Sequence, residues 1–338
     1  MSDAKAEEHY ITRPVSKFMG TYDPRHEEMH PEYWQKEKHL DLNETQQFGF
    51  SILEEEIHAL CYTWFHPNCN LISTGVFVCQ GIQPIAPGLA IQDYRGFMSA
   101  DELNGTFLKY KTSNGYEVEV IEPGVKFRTK YLDKERNNSF DITHTAMHPP
   151  AMWSSNVHYE QPMLNVGELV IRGKRYDVNS RQTRDRSWGE LRSEMPRNIP
   201  AMGWVTGTFD NGFCFHVTAF DSQDLDPVWK GHFDVPPDQN LRFGWVIVEG
   251  QQAALVHCRK RTSYDADLMP ETMWLELHDE HGRVHTIEGK VVAGFPMHPW
   301  NNSRWPICLT RWKLNGSVDG YGDIQDGHWG DFVLAMRG

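Results

Sequence analysis

The sequence predicts an all-β protein of two antiparallel barrels in tandem. Three observations lead there. Apolar and polar residues alternate with period two in one run after another. Asn-Gly pairs, the strongest short-range hairpin signal, stand between such runs at 104–105, 114–115, 211–212 and 315–316. Long amphipathic helices are missing, while strand-like runs recur roughly every 8 to 15 residues from about 44 to 325.

Taken in order, residues 1–30 read as an N-terminal arm rich in charge, Pro and His, and Pro31 to Leu40 as a short helix with Pro31 in its first turn. In Tyr116-Glu117-Val118-Glu119-Val120 the valines face one way and the glutamates the other. Lys126 to Tyr131 alternates in the same manner, as a half-buried strand does. Glu190 to Arg197 is charged and ends near Pro196, which places a boundary there. The expected units are residues 31–192 and 193–338, with a last helical turn near Asp331 to Met336. Gly203-Trp204-Val205 and Gly244-Trp245-Val246 form a weak internal echo.

Composition narrows the function. The formal charge of −13 repels phosphate backbones and anionic lipid surfaces, so no nucleic-acid partner is expected. The chain contains no apolar run of 18 residues, so no membrane span is expected, and Met1 to Glu8 is too polar for a secretory signal. Six scattered cysteines without Cys-x-x-Cys spacing read as reduced thiols of a cytoplasmic protein. The 12 Trp, 12 Tyr and 17 Phe suit strands and also suit pockets for flat or greasy ligands. A hydrophobic small molecule is the expected partner, and a homodimer is an open option.

Cofactor signatures are missing. There is no phosphate loop, Gly320-Tyr321-Gly322 lacks a strand–turn–helix setting, and no Gly-x-Ser-x-Gly occurs. His278, His281 and His285 straddle a turn at Asp279 to Gly282 that would make them diverge, and His144 and His148 sit beside Pro149-Pro150. No metal and no organic cofactor are expected.

The most distinctive run is Thr183-Arg184-Asp185-Arg186-Ser187-Trp188-Gly189. In an extended chain Thr183, Asp185 and Ser187 share one face, and Arg184, Arg186 and Trp188 the other. A walled-off carboxylate can give or take a proton, with arginines lowering its pKa and burial raising it. Two readings fit: a catalytic Asp185, or an Arg-Asp-Arg ion-pair latch between the barrels. Asn156, His158 and Glu160 alternate onto one face, and an imidazole beside a carboxylate is an acid–base device or a satisfied polar cluster. Tyr62 and Trp64, and Trp204 and His216, are candidate pocket residues whose plainer role is core packing.

Arg184 to Gly189, preceded by His158-Tyr159-Glu160-Gln161, resembles the lipocalin-like superfamily that includes carotenoid 1,2-hydratase. The run Gly320 to Gln325, with Trp329 and Asp331, resembles an AttH-like bacterial branch. The resemblance implies two lipocalin-like barrels, a ligand cavity at or near their junction, and chemistry that needs no cofactor. Related enzymes add water to an isoprenoid alkene, and Asp185 matches the proton-donating aspartate. Thr183 stands where the hydratase has an aromatic residue, and Arg186 brings a permanent cation, which leaves room for a carbonyl-bearing or acidic substrate. The expectation is a lyase or isomerase for a terpenoid- or steroid-like molecule, with Asp185, His158 and Glu160 catalytic. Arg184, Arg186, Trp188, Asn156, Tyr62, Trp64, Trp204 and His216 would contact the substrate. A carrier and a pericyclic cyclase are the alternatives.

Overall fold

The computed structural model describes residues 17–192, 198–226, 229, 231–299 and 302–337. Most of the expected arm (1–16) and most of the expected boundary (193–197) lie outside the described residues. The chain divides into two compact units: Met1–Ile52, Ala59–Val78 and Ala90–Ser193 in the first, Leu53–His58, Cys79–Leu89 and Glu194–Gly338 in the second. The sequence suggested one cut; the two short segments join the second unit because their bonds go there. Gln83 N donates to Gly294 O (2.8 Å), and Gly294 N to Gly81 O (3.1 Å).

The fold is all-β. A 3-10 turn at Pro24–Glu27 and helix α1 (Pro31–Lys36) lead into the first unit. Its strands are β1 (Leu42–Ile52), β2 (Ile57–His66), β3 (Leu71–Gln80), β4 (Ile91–Ser99), β5 (Lys109–Lys111) and β6 (Tyr116–Glu122). They continue with β7 (Lys126–Asp133), β8 (Asn138–Ala146), β9 (Ala151–Met152), β10 (His158–Ile171) and β11 (Lys174–Leu191). The sheet runs β4-β3-β2-β1-β11-β10-β8-β7-β6-β5, with β9 on β10.

Side chains bring the two ends of this curled sheet together. Asn114, in the Asn-Gly turn between β5 and β6, donates its amide to Thr74 O (3.1 Å) and Asp93 O (2.8 Å) on β3 and β4. Tyr131 of β7 adds a bond to Asp93 (3.0 Å). At Gly75, φ is +140° and a Cβ would strike Asp93 O of the neighbouring strand and Nδ2 of Asn114 from the far end, so only glycine lets these edges approach. Phe48, Phe50, Phe127, Tyr131 and Phe140 fill the inner side.

The second unit has β12 (Met202–Phe209), β13 (Cys214–Phe220), β14 (Leu241–Val248) and β15 (Gln251–Tyr264). Next come β16 (Pro270–Asp279), β17 (Val284–Met297), β18 (Ser303–Leu314), β19 (Val318–Trp329) and helix α2 (Gly330–Arg337). These eight strands form a closed barrel in sequence order. Asn-Gly turns at 211–212 and 315–316 close two of its hairpins, with Asn315 and Gly316 both at positive φ. Val205, Phe215, Val217, Val246, Leu255, Leu275 and Trp312 belong to its dry core.

One end of that core is ionic. Lys260 Nζ donates to Asp221 (2.7 Å) and Asp326 (3.1 Å), and Tyr264 Oη lies 3.0 Å from Asp221 and 2.7 Å from Asp326. Gly203 makes room, since a Cβ there would meet the Lys260 chain. Tyr264 has one hydrogen to share between the two carboxyls. Burial holds Asp221 above the ordinary carboxyl range, whereas Lys260 and His328 hold Asp326 below it despite burial.

Candidate active site

Asp185 sits at the middle of β11, only 7% exposed. Cα pairing sets it opposite Glu160 of β10 on one side and Gln47 of β1 on the other. Directly opposite residues share a face, so Asp185, Glu160 and, two residues along, His158 come together. His158 Nε2 lies 3.5 Å from Glu160 Oε1 and 3.9 Å from Asp185 Oδ2. Trp153 stacks flat on His158 (4.6 Å, 4°) and donates its indole N–H to Glu160 (2.8 and 3.0 Å).

A bulge completes the cluster. The β1–β11 register shifts between Asn43 and Thr45, and Gly189 takes φ +66°. One extra residue there reverses the alternation, so Glu190 and Arg192 fall on the Asp185 side. Glu190 Oε1 approaches His158 Nδ1 (3.5 Å), while Arg192 clamps Glu190 (2.6 Å) and reaches Tyr62 Oη (3.2 Å) and Ser187 Oγ (3.0 Å). A Cβ at Gly189 would collide with the Tyr33 ring of α1, a second reason for glycine.

The electrostatics are uneven. Burial raises the Asp185 carboxyl above its usual range, against the pull of His158 and Arg192. His158 is also raised: burial opposes its charge, but Glu190, Glu160 and Asp185 together outweigh burial. Glu190 is lowered to about 2, because Arg192 and His158 overcome its own burial. Asp185 Oδ1 and His158 Nε2 are buried without a hydrogen-bond partner. Buried polar atoms are rarely left so; it is the other carboxyl oxygen, Asp185 Oδ2, that lies 3.9 Å from His158 Nε2.

The other face of β11 is a latch. Arg184 pairs with buried Glu27 (2.6 Å), donates to Gln161 Oε1 (3.0 Å) and lies over the Phe127 ring (3.8 Å). Arg186 donates to Glu44 (2.6 Å), Thr45 O (2.9 Å) and Glu28 O (2.7 Å). Trp188 stacks on His30 (4.1 Å, 4°). These three residues, expected to touch substrate, instead fasten residues 22–44 to the first unit. The latch is therefore internal to that unit, which corrects the expectation of a tie between barrels. The cause is period-two alternation, which turns them away from Asp185.

Asn156 is a second correction. It occupies a turn with φ +56° and accepts from Thr21 N (2.9 Å), so it does not extend the His158–Glu160 face. Tyr62 joins the cluster through Arg192, and Trp64 packs next to it against His66 (5.0 Å). Trp204 and His216 lie in the second unit, 5.1 Å apart. Of the three tempting histidines, His278 turns to Glu276 (3.0 Å) and His285 to Asp279 (3.2 Å). Trp153, Glu190 and Arg192 were missed, and the continuation of charge past Trp188 was their one signal.

This arrangement defines a lipocalin-like barrel protein with a buried carboxylate–imidazole cluster. Proteins of known structure share this fold. An AttH-type protein of Nitrosomonas europaea shares it with TM-score 0.64 and 12% identity over 93% of this chain and 98% of that one. Kievitone hydratase from Nectria haematococca matches at TM-score 0.52 and 12% identity, over 85% and 88% of the two chains. CghA matches at 0.53 and 10%, over 86% and 88%. The chain belongs to the family described as a domain of unknown function, DUF7064, whose profile matches residues 23–329. No curated protein sequence matches the chain. No helix among the described residues is long and apolar enough to cross a membrane.

Proposed function

We propose that the chain is a lyase or isomerase of the hydratase/dehydratase type, acting on a lipophilic, terpenoid- or steroid-like substrate through Asp185. The observation that carries this is the buried Asp185 carboxyl, whose Oδ1 has no hydrogen-bond partner while its Oδ2 lies 3.9 Å from His158 Nε2. Likeness of fold to a hydratase supports the reaction class.

In the hydration direction the Asp185 carboxyl gives its proton to an alkene carbon, and the O–H electrons stay on the carboxylate. The His158 imidazolium, held by Glu190 and Glu160, stabilises that new charge. Water adds to the carbocation and returns a proton to Asp185, so protons balance. Elimination is the reverse. Arg186 plays no part, being bound to Glu44; Arg192 with Tyr62 is the pair placed to hold a substrate oxygen.

The test begins with extraction of the purified protein and mass spectrometry of the molecules it retains. Those molecules are then incubated with protein in heavy water. Wild type should place deuterium on carbon, and Asp185→Asn should lower the rate by about 10²–10⁴, the usual worth of a positioned acid or base. A folded Asp185→Asn protein exchanging at the wild-type rate removes Asp185 from the mechanism. Retention without exchange in the wild type makes the chain a carrier.

A further inference from the structure

The second unit has an aromatic, hydrogen-bonding face that the Asp185 chemistry does not use. Val205, Val217 and Val246 belong to the barrel core, so their strand neighbours Trp204 and Thr206, His216 and Thr218, and Trp245 present the opposite side. Trp204 and Trp245 are the two tryptophans of the Gly-Trp-Val echo. They flank His216 at 5.1 and 6.0 Å, with Phe243 at 6.2 Å. Thr206 pairs directly with His216 across β12 and β13, and its Oγ1 lies 3.4 Å from Asp323 N. Asp323 leads to His58, whose Nδ1 is 3.8 Å from Asp323 Oδ1.

His58 is fully buried, and neither of its ring nitrogens has a hydrogen-bond partner; the same holds for Trp204 Nε1. A buried donor or acceptor left unmet costs about 1–3 kcal/mol, so His58 Nε2 and Trp204 Nε1, tied to one face through Asp323 and Thr206, mark a place where a ligand completes the bonding. Burial pushes His58 down to about 3, so its imidazole is neutral, with one nitrogen donating and the other accepting.

We propose that this face binds an uncharged, flat, oxygenated ring compound. The rings of Trp204, His216, Trp245 and Phe243 take its body by stacking and edge contacts. Asp323 draws the His58 hydrogen to Nδ1, which leaves Nε2 to accept from a ligand hydroxyl. The Trp204 indole is a donor only and needs a ligand oxygen to accept it. An anion would be buried against the Asp323 carboxyl, and an ammonium offers Trp204 no acceptor.

The experiment is calorimetric or NMR titration of the full chain with 2-naphthol, 2-methoxynaphthalene, 2-naphthoate and 2-naphthylmethylamine at neutral pH. Naphthol should bind best of the four. His58→Phe should weaken naphthol by about tenfold, one hydrogen bond's worth, and leave the methyl ether unchanged. Trp204→Phe, which keeps a ring and removes one N–H, should weaken both. If His58→Phe does not fold, as judged by near-ultraviolet circular dichroism, Trp204→Phe decides. No binding of naphthol overturns the proposal, as do equal binding of either charged probe and unchanged naphthol affinity in folded variants. The readout is equilibrium binding, so the outcome is separate from that of the heavy-water test of Asp185.

Discussion

Two of the buried charged clusters, the one around Lys260 and the one around Asp185, differ in how fully their atoms are bonded. Around Lys260 every polar atom of Lys260, Asp221, Asp326 and Tyr264 has a partner, and His328 Nδ1, at the edge of the cluster beside Asp326, is the one buried atom without. Around Asp185 the carboxylates and the imidazole approach at 3.5–3.9 Å without bonding, and two atoms have no hydrogen-bond partner. A satisfied cluster holds strands together. An unsatisfied one keeps binding capacity in reserve, as functional sites do at the expense of stability.

Substitutions can break or sharpen this contrast. The largest effect should come from Lys260→Met. Removing one partner strands two buried carboxyls, which costs about 3–5 kcal/mol. Urea melts should show it, and a loss under about 1 kcal/mol would mean the cluster is not structural. Next is Gly189→Ala, which forces a side chain into positive φ and into the Tyr33 ring. A loss of about 1–3 kcal/mol is expected, the range for backbone strain of this kind. It should also move Glu190 and Arg192 off the Asp185 side.

The smallest effects are electrostatic. Glu190 has a folded-state pKa of about 2, below its unfolded value of about 4.3. Its stabilisation is therefore whole above about pH 4.3 and lost as pH falls toward 2. Glu190→Gln should flatten acid unfolding in that window. Asp185 has the opposite sign: its folded pKa is raised, so ionising it weakens the fold as pH rises through that value. Asp185→Asn should leave stability at neutral pH unchanged or higher, the reverse of Lys260→Met. Parallel thermal melts of the two variants check this, and equal losses would erase the distinction between clusters.

Alternation and turn chemistry were legible in the sequence. Hairpins formed at Asn114-Gly115, Asn211-Gly212 and Asn315-Gly316, while Asn104-Gly105 lies in a connection, because β4 and β5 do not pair. The opposition of Asp185 to Arg184 and Arg186 was legible too, since strand geometry alone sets it. The contribution of Glu190 and Arg192 was not. A period-two reading puts them with Trp188, and the bulge at Gly189 reverses the phase.

By itself the sequence determined the class of fold, the pairing of His158 with Glu160 on one face, and the acidic character of the surface. These follow from local geometry and composition, which need no knowledge of distant residues. Only the tertiary structure decided which buried polar groups meet: Glu27 and Glu44 with the arginines of β11, Lys260 with Asp221 and Asp326, neutral His58 with Asp323. Such partners are up to 265 positions apart, the span from His58 to Asp323 (323 − 58). No local preference selects among dozens of charged residues; strand register and burial do, because a buried charge survives only where its counterpart is brought to it.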